Sequence, residues 1–214
     1  MPADLDALPY ARFLRPLSEE PESEGDYDCV HIDGVRWADP RVEHARFTES
    51  AFTDVTMTGG SLRHTRFADV WVRDTRWIGT DLADGSWQDA ELIAAALSGV
   101  DAGGAVLRRV RFEGCKLDSV NLRRAKLREV SFIDCVLRDT DFGGATLSTV
   151  SFPGTRLEGL LVDNARLSAV DLREAAAIDI ASGIPALRGA RITPLQLMDL
   201  APALAREAGI LVGD

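Results

Sequence analysis

Between Ile32 and Leu172 every fifth residue is apolar, without a slip. The series runs Ile, Trp, Val, Phe, Phe, Met, Leu, Phe, Val, Trp, Leu, Trp and onward through 29 positions, the smallest being Ala102. In a chain that is 46% apolar, chance would produce this roughly once in 10^10 sequences, so the period dictates the architecture. Seven of the eight Phe and three of the four Trp lie in this one phase. Such a period fits neither the helical repeat of about 3.6 residues nor the two-residue alternation of a long strand.

A second series supports the first. Two residues before each large apolar residue stands a small one, as at Val30, Val35, Ala45, Val55, Thr65, Val70, Val110, Cys115, Val120, Ala125, Val130 and Cys135. Pro40 and Leu160 are the exceptions, and the remaining three positions of each repeat are mostly polar or Gly. A chain patterned this way can bury its large and small residues inward and turn one corner per repeat.

Ala125-Lys126-Leu127-Arg128-Glu129 and Val170-Asp171-Leu172-Arg173-Glu174 fit the loose pattern Ala-Asp/Asn-Leu-x-x. In these stretches the chain resembles the pentapeptide repeat proteins, over about three quarters of its length. The resemblance implies an all-β fold, a right-handed quadrilateral β-helix of four repeats per coil, closed by a C-terminal helical cap. Coils stacked at the inter-strand spacing of about 4.8 Å, eight of them, would make a rod about 38 Å long. A single coil cannot bury its own inward side chains, so stability is a sum over neighbouring coils and both ends need caps. Each inward Leu or Phe is worth roughly 1.5–3 kcal/mol by burial.

Three segments follow: a cap and acidic flexible stretch over 1–28, the repeat over 29–192, and a helical cap over 193–214, which is also a candidate dimerisation module. At the start, Leu5, Leu8, Tyr10, Phe13, Leu14 and Leu17 predict a short amphipathic cap. The stretch from Glu19 to Asp26 is rich in acids and predicts flexibility. After Leu172 the register weakens, with Ala177 and Ser182 poor fits, and returns at Leu187 and Ile192. Thr193 then reads as an N-cap, Pro194 as the first helical residue and Gln196 as the partner in a capping box. Pro202 predicts a kink or a split in that helix. Gly209 ends it, and Ile210-Leu211-Val212 predicts a closing strand.

The tail from Gly189-Ala190-Arg191-Ile192-Thr193-Pro194 to Gly209-Ile210 is similar to the end of actinobacterial pentapeptide proteins linked to fluoroquinolone resistance. That resemblance implies a homodimer of two rods joined at this end through Leu195, Met198, Leu200, Leu204, Ile210 and Val212. The other reading is a monomer whose helix only closes the rod.

Formal net charge is −10, with pI about 4.8, which disfavours a nucleic-acid ligand and reads either as plain solubilisation or as suited to a basic protein partner. Side chains one coil apart line up in columns. One column reads Glu49, Asp69, Asp89, then Arg109 and Glu129; its neighbour reads Asp54, Asp74, Ala94. Stacked like charges repel, so such columns are retained at some cost. They read either as an imitation of a phosphate row or as a solvated edge neutralised by Arg46, Arg66, Arg73 and Arg76. From Cys29 to Ala175 there are 22 acids and 19 bases, so any field is patchy. Residues 79–106 hold five acids and no base, and residues 107–128 form a basic girdle of Arg108, Arg109, Arg111, Lys116, Arg123, Arg124, Lys126 and Arg128. The girdle reads as a grip for an acidic partner or as salt bridging to the acidic band. Trp71 is the one tryptophan off phase and should face outward, either as an interface anchor or packed on the N-terminal cap.

Other chemistry is not indicated. His44 and His64 should stack above Asp84, but no fourth ligand accompanies them, and no metal or cofactor is expected. Cys115 and Cys135 occupy the small inward position and read as compact hydrophobes. No phosphate loop, nucleophile elbow or Ser–His–Asp order is found, so no enzyme is expected. The acidic start lacks the order of a signal peptide, and no segment approaches the roughly 20 apolar residues of a membrane span, so a cytoplasmic location is expected. The family resemblance implies a DNA-mimicking binding protein that docks on a type II topoisomerase such as DNA gyrase, through Glu49, Asp54, Asp69, Asp74, Asp89 and Trp71. No insertion breaks the frame between Ile32 and Leu172, so the projecting loops of some quinolone-resistance relatives are missing. The alternative is a scaffold for an unrelated protein, recognised through Trp71 or the girdle.

Overall fold

The computed structural model describes residues 4–211. Its organising element is the corner. From Glu24 to Ala169, every fifth residue has a positive φ, 30 corners without a break. Each corner comes two residues after an inward side chain, and it turns the chain onto the next face of a four-sided coil. Left-handed backbone costs an ordinary L-residue roughly 1–2 kcal/mol, with Gly exempt and Asp and Asn most tolerant. Nine of the 30 corners are Gly and eight are Asp. The polar positions of the repeat thus carry a backbone requirement of their own.

Successive coils pair in parallel with an offset of 20 residues, as in Trp77↔Leu97 and Leu97↔Leu117. The first face starts with strands Asp26–Asp28, Arg46–Thr48 and Arg66–Ala68, and the second with Val30–Asp33, Ala51–Thr53 and Trp71–Arg73. In the middle coils these two faces run together as strands Ser86–Ile93, Val106–Glu113 and Lys126–Ile133. The third face, from Arg36–Ala38 upward, forms a separate sheet of eight strands. The fourth is joined mainly by isolated bridges, such as Ser61↔Asp81 and Asp101↔Asn121. The result is a parallel β-solenoid, the quadrilateral β-helix that the family resemblance implied.

The inward series fills the tube. Of its 29 members 28 are buried, and Leu167 is half-buried. Tyr27, Phe47, Phe67 and Trp87 stack up the first face at 4.9, 5.4 and 3.9 Å, carrying the phase back to Tyr27. Phe112, Phe132 and Phe152 stack up the second at 4.7 and 5.3 Å. Two threonines at the small position are satisfied by the coil beneath, whereas the buried Thr80 hydroxyl has no partner among the described residues. The Thr65 and Thr155 hydroxyls donate to the Val42 and Phe132 carbonyls, at 2.7 and 2.8 Å. Cys115 and Cys135 are free and buried, and the Cys115 thiol donates to the Leu92 carbonyl at 3.2 Å.

Both ends depart from expectation. Residues 23–26 are held rather than loose: the Ser23 hydroxyl donates to the Arg41 carbonyl and accepts from the Glu43 amide, and the Glu24 amide donates to the Glu43 carbonyl at 2.7 Å. The first full coil presents open backbone groups at its edge, and this acidic stretch satisfies them. The N-terminal apolar residues do not plug the tube. Short 3-10 turns at Leu5–Ala7 and Ala11–Phe13 lead to Arg15–Pro16, which pairs with Val30 and His31. Leu5, Leu8 and Leu14 lie outside the coil, against Ala51, Trp71 and Ile93 of the second face. Leu17 alone of the six packs against the main core, and Phe13 is exposed.

At the other end, Ile178 takes the inward slot above Leu157, one residue later than counting by five places it, and a bulge restores the register at Ile180↔Leu160. The helix Pro194–Glu207 has the expected capping box between Thr193 and Gln196. Gln196 does more than cap its helix: it is buried, and its Nε2 donates to the Leu172 and Ala175 carbonyls at 2.8 and 3.2 Å, closing the last coil. Leu200, 3% exposed, seals the tube beside it. The helix is continuous through Pro202. The carbonyl that loses its donor belongs to Met198, on the exposed side, where water can satisfy it. Ile210 and Leu211 form no strand, and Val212 lies outside the described residues.

Candidate partner-binding face

Glu49, Asp69 and Asp89 occupy the corners between the first and second faces, and Asp54 and Asp74 the corners between the second and third. The two rows therefore border one face, and Trp71 stands on it. The fold brings all six proposed residues together. It also supplies a reason for the acids that needs no ligand, since all five hold φ between 47° and 54°.

The two rows are unevenly neutralised. Arg109 reaches across one coil and holds Asp89 with two bonds, of 2.5 and 2.6 Å, keeping that carboxyl below the usual range. Asp69 is pushed the other way, first by burial and then by the like charges of Asp89 and Glu49. Glu49 receives only the Cys29 thiol, at 3.6 Å. Of the four arginines expected to neutralise the edge, only Arg73 touches a row, at 3.3 Å from Asp74, while Arg46 turns to Asp26. Among the described residues, Arg66, Arg76, Asp54, Asp69 and Glu91 form no ion pair.

Asp69 gives a pH test. Its native carboxyl titrates above its unfolded value of 3.8. The native state then binds the extra proton, and stability is lost as pH rises through that interval. Asp69→Asn removes this penalty. The expected result is a Tm gain of about 1–2 °C at pH 7, the scale of a surface substitution in a chain of this size. Melts repeated at pH 3 should show the gain gone; an equal gain at both pH values would assign it to backbone preference instead.

Trp71 requires a correction as a partner-binding residue. It does face out of the core, but it is only 2% exposed, because Leu5, Leu8 and Leu14 lie over it. Among the described residues its buried Nε1–H has no acceptor. Tyr10, from the same N-terminal segment, is buried beside the rows, and its phenol is pushed up by burial, then by Asp69, Glu49 and Glu91. The apolar spacing of residues 5–14 announced a packing segment. Of the two readings of Trp71, interface anchor or packed on the N-terminal cap, the structure shows the second.

On the C-terminal helix, Leu195 and Met198 are 70% and 71% exposed, and Leu204 and Ile210 are also exposed. Leu197 and Leu211, outside the dimerisation set read from sequence, join them on the surface. Leu200 does not belong to this set, since the coil end buries it.

Half of the basic girdle is paired: Arg109 with Asp89, Arg111 with Glu113, Arg123 with Asp141 and Arg128 with Glu129. The rings of His44 and His64 do stack, at 4.6 Å, but Asp84 turns to Arg63 at 3.0 Å. Asp28, Cys29 and Glu49 place ligand atoms within 4.8 Å of one another, and burial and the neighbouring carboxylates push the Cys29 thiol up.

Residues 105–179 match the family model described as a pentapeptide repeat region. No curated protein sequence matches the chain. Among solved structures, a trypsin-treated variant of QnrB1, described as a plasmid-mediated fluoroquinolone resistance protein, aligns over 94% of this chain and 98% of its own, at 13% identity and a TM-score of 0.63. HetL, a pentapeptide repeat protein involved in heterocyst differentiation regulation in the cyanobacterium Nostoc sp. strain PCC 7120, aligns over 77% of this chain and 93% of its own, at 14% identity and a TM-score of 0.30. Among the described residues no helix is long and apolar enough to cross a membrane. An unbroken five-residue period, a corner at every repeat, and the match of residues 105–179 to the pentapeptide repeat region agree on one architecture, a parallel β-solenoid of five-residue repeats similar to that of the pentapeptide repeat proteins.

Proposed function

We propose that this chain is a non-enzymatic cytoplasmic binding protein whose second face occupies the place of duplex DNA on a type II topoisomerase such as DNA gyrase. The observation that carries this reading is the convergence of two acid rows, Glu49-Asp69-Asp89 and Asp54-Asp74, on a single face. A basic saddle built for two phosphate strands would meet two rows of carboxylates. The likeness in fold to QnrB1, described as a fluoroquinolone resistance protein, is compatible with this target. The exposed apolar side of the C-terminal helix supports a dimer of rods joined end to end.

The test is a supercoiling assay with purified gyrase, with and without a quinolone. The chain at up to hundredfold molar excess is expected to inhibit supercoiling or relieve poisoning. Asp54→Lys with Asp69→Lys should raise the concentration needed at least tenfold. These two are chosen because neither holds an ion pair among the described residues, whereas reversing Asp89 would also release Arg109. No effect of the unaltered chain on either readout would end the topoisomerase reading, and an undiminished effect of the double variant would remove the rows from it.

The second reading is a scaffold for an unrelated acidic protein. Its support is the half of the girdle that forms no ion pair among the described residues, Arg108, Lys116, Arg124 and Lys126, together with the backbone reason for Asp at corners. Trp71, being covered, no longer contributes to it.

A further inference from the structure

The second face is already occupied, and its occupant shows what it takes. Residues 4–14 form a strap over it. The strap's Leu5, Leu8 and Leu14 meet an apolar strip of Ala51, Trp71 and Ile93, and its Arg15 continues into the edge of the sheet by pairing with Val30. This contact stands apart from the core inside the tube, and it covers the strip between the two acid rows.

In apolar terms the strap fits; in polar terms it does not. Asp4 finds Arg73 at 3.5 Å, but Asp6 brings another acid to a face bordered by acids. Arg12 lies over its own neighbour Phe13 at 4.6 Å, and the Arg15 guanidinium donates to the Asp28 carbonyl, so neither cation reaches a row carboxylate. Asp54, Asp69 and Glu91 form no ion pair among the described residues, and the Trp71 Nε1–H is buried with no acceptor. A buried donor without a partner carries a desolvation cost that nothing offsets. The face thus holds two unmet demands, one for cations along its borders and one for a carbonyl oxygen over the indole.

We infer that the second face is a docking surface for a basic amphipathic segment of a partner protein, and that the partner binds by displacing the strap. Leu-like side chains of the segment replace Leu5, Leu8 and Leu14 on the strip. Its Lys or Arg residues meet Asp54, Asp69 and Glu91, and a backbone carbonyl accepts from Trp71. The strap then acts as a resident competitor that sets the affinity of the face. The inference goes beyond the topoisomerase reading and stands without it, because any partner with such a segment meets the same surface.

The test needs no topoisomerase. The probe is a fluorescent peptide with the sequence of residues 4–15 in which Lys replaces Asp4 and Asp6, compared with the unaltered peptide. The receptors are the full chain and its Leu5→Ser/Leu8→Ser variant, in which the strap is loosened while the coil core is untouched. Anisotropy titrations at low salt are expected to show the basic peptide binding the variant at least tenfold more tightly than the full chain, and at least tenfold more tightly than the unaltered peptide does. Adding Asp54→Asn and Asp69→Asn should remove most of the second difference. Equal binding to both receptors, or no binding to either, overturns the docking surface. Equal binding of the two peptides to the variant overturns the basic character of the partner. A failed supercoiling assay leaves both of these readouts standing, so the two ideas fail separately.

Discussion

Phe132→Asp is expected to unfold the middle of the rod. Phe132 is fully buried, with Phe112 stacked on one side at 4.7 Å and Phe152 on the other at 5.3 Å. Deleting a buried phenyl costs about 3–5 kcal/mol, and a carboxylate placed there adds desolvation with no partner to offset it. Because each coil is stable only against its neighbours, the damage extends to the coils above and below. The expected result in a thermal melt is loss of the main transition, or a fall in Tm of more than about 10 °C. Ser131→Asp, one residue away and outside the tube, is the control and should shift stability by no more than about 0.5 kcal/mol. A folded, cooperative Phe132→Asp chain would mean that the inward stack is not what holds the rod.

Gly183→Ala is the second large effect, and its cause is backbone rather than burial. Gly183 has φ +86°, and an added Cβ would lie 2.4 Å from the Asp163 nitrogen and 2.5 Å from the Val162 carbonyl carbon. Neither neighbour can move without opening the coil beneath. The expected loss is about 3 kcal/mol or more, the sum of left-handed strain and a main-chain clash. It should be local: hydrogen exchange should speed up through residues 172–207 while the middle coils stay protected. Gly79 is the comparison, a corner at φ +61° with nothing within 4 Å of an added Cβ. Gly79→Ala should cost only the left-handed term, about 1 kcal/mol. Equal effects of the two substitutions would place the cost in the backbone angle alone and remove the clash.

Much of this fold is legible along the chain because the coil is nearly one-dimensional: residue i meets residue i+20, and the meeting repeats. Phe47, Phe67 and Trp87 could be paired by arithmetic, and so could the acid columns. Arithmetic fails where the chain leaves the frame. Ile178 lies one residue out of phase and still fills the slot above Leu157, because a bulge absorbs the extra residue. The split expected at Pro202 does not occur, since the freed carbonyl faces water. The role of Gln196 in closing the last coil had a visible clue, its capping box, but the Leu172 and Ala175 carbonyls it serves come from a coil end that only the packed helix reveals.

The acids of the candidate site show the same division in chemistry. Their positions were readable as columns; their shared cause was not. Glu49, Asp54, Asp69, Asp74 and Asp89 are all corner residues, so the fold asks for residues tolerant of positive φ there before any partner asks for charge.

The sequence by itself determined which side chains turn inward, because a strict period selects every fifth one for burial; with the 20-residue coil that the family resemblance implied, the stacks and columns followed. Only the tertiary structure decided which surface is free. The strap, with no period to declare its partner, chose the second face through three leucines and one tryptophan, and long-range apolar contact is set by shape rather than by spacing. That choice covers Trp71 and leaves the rows beside it as exposed charge.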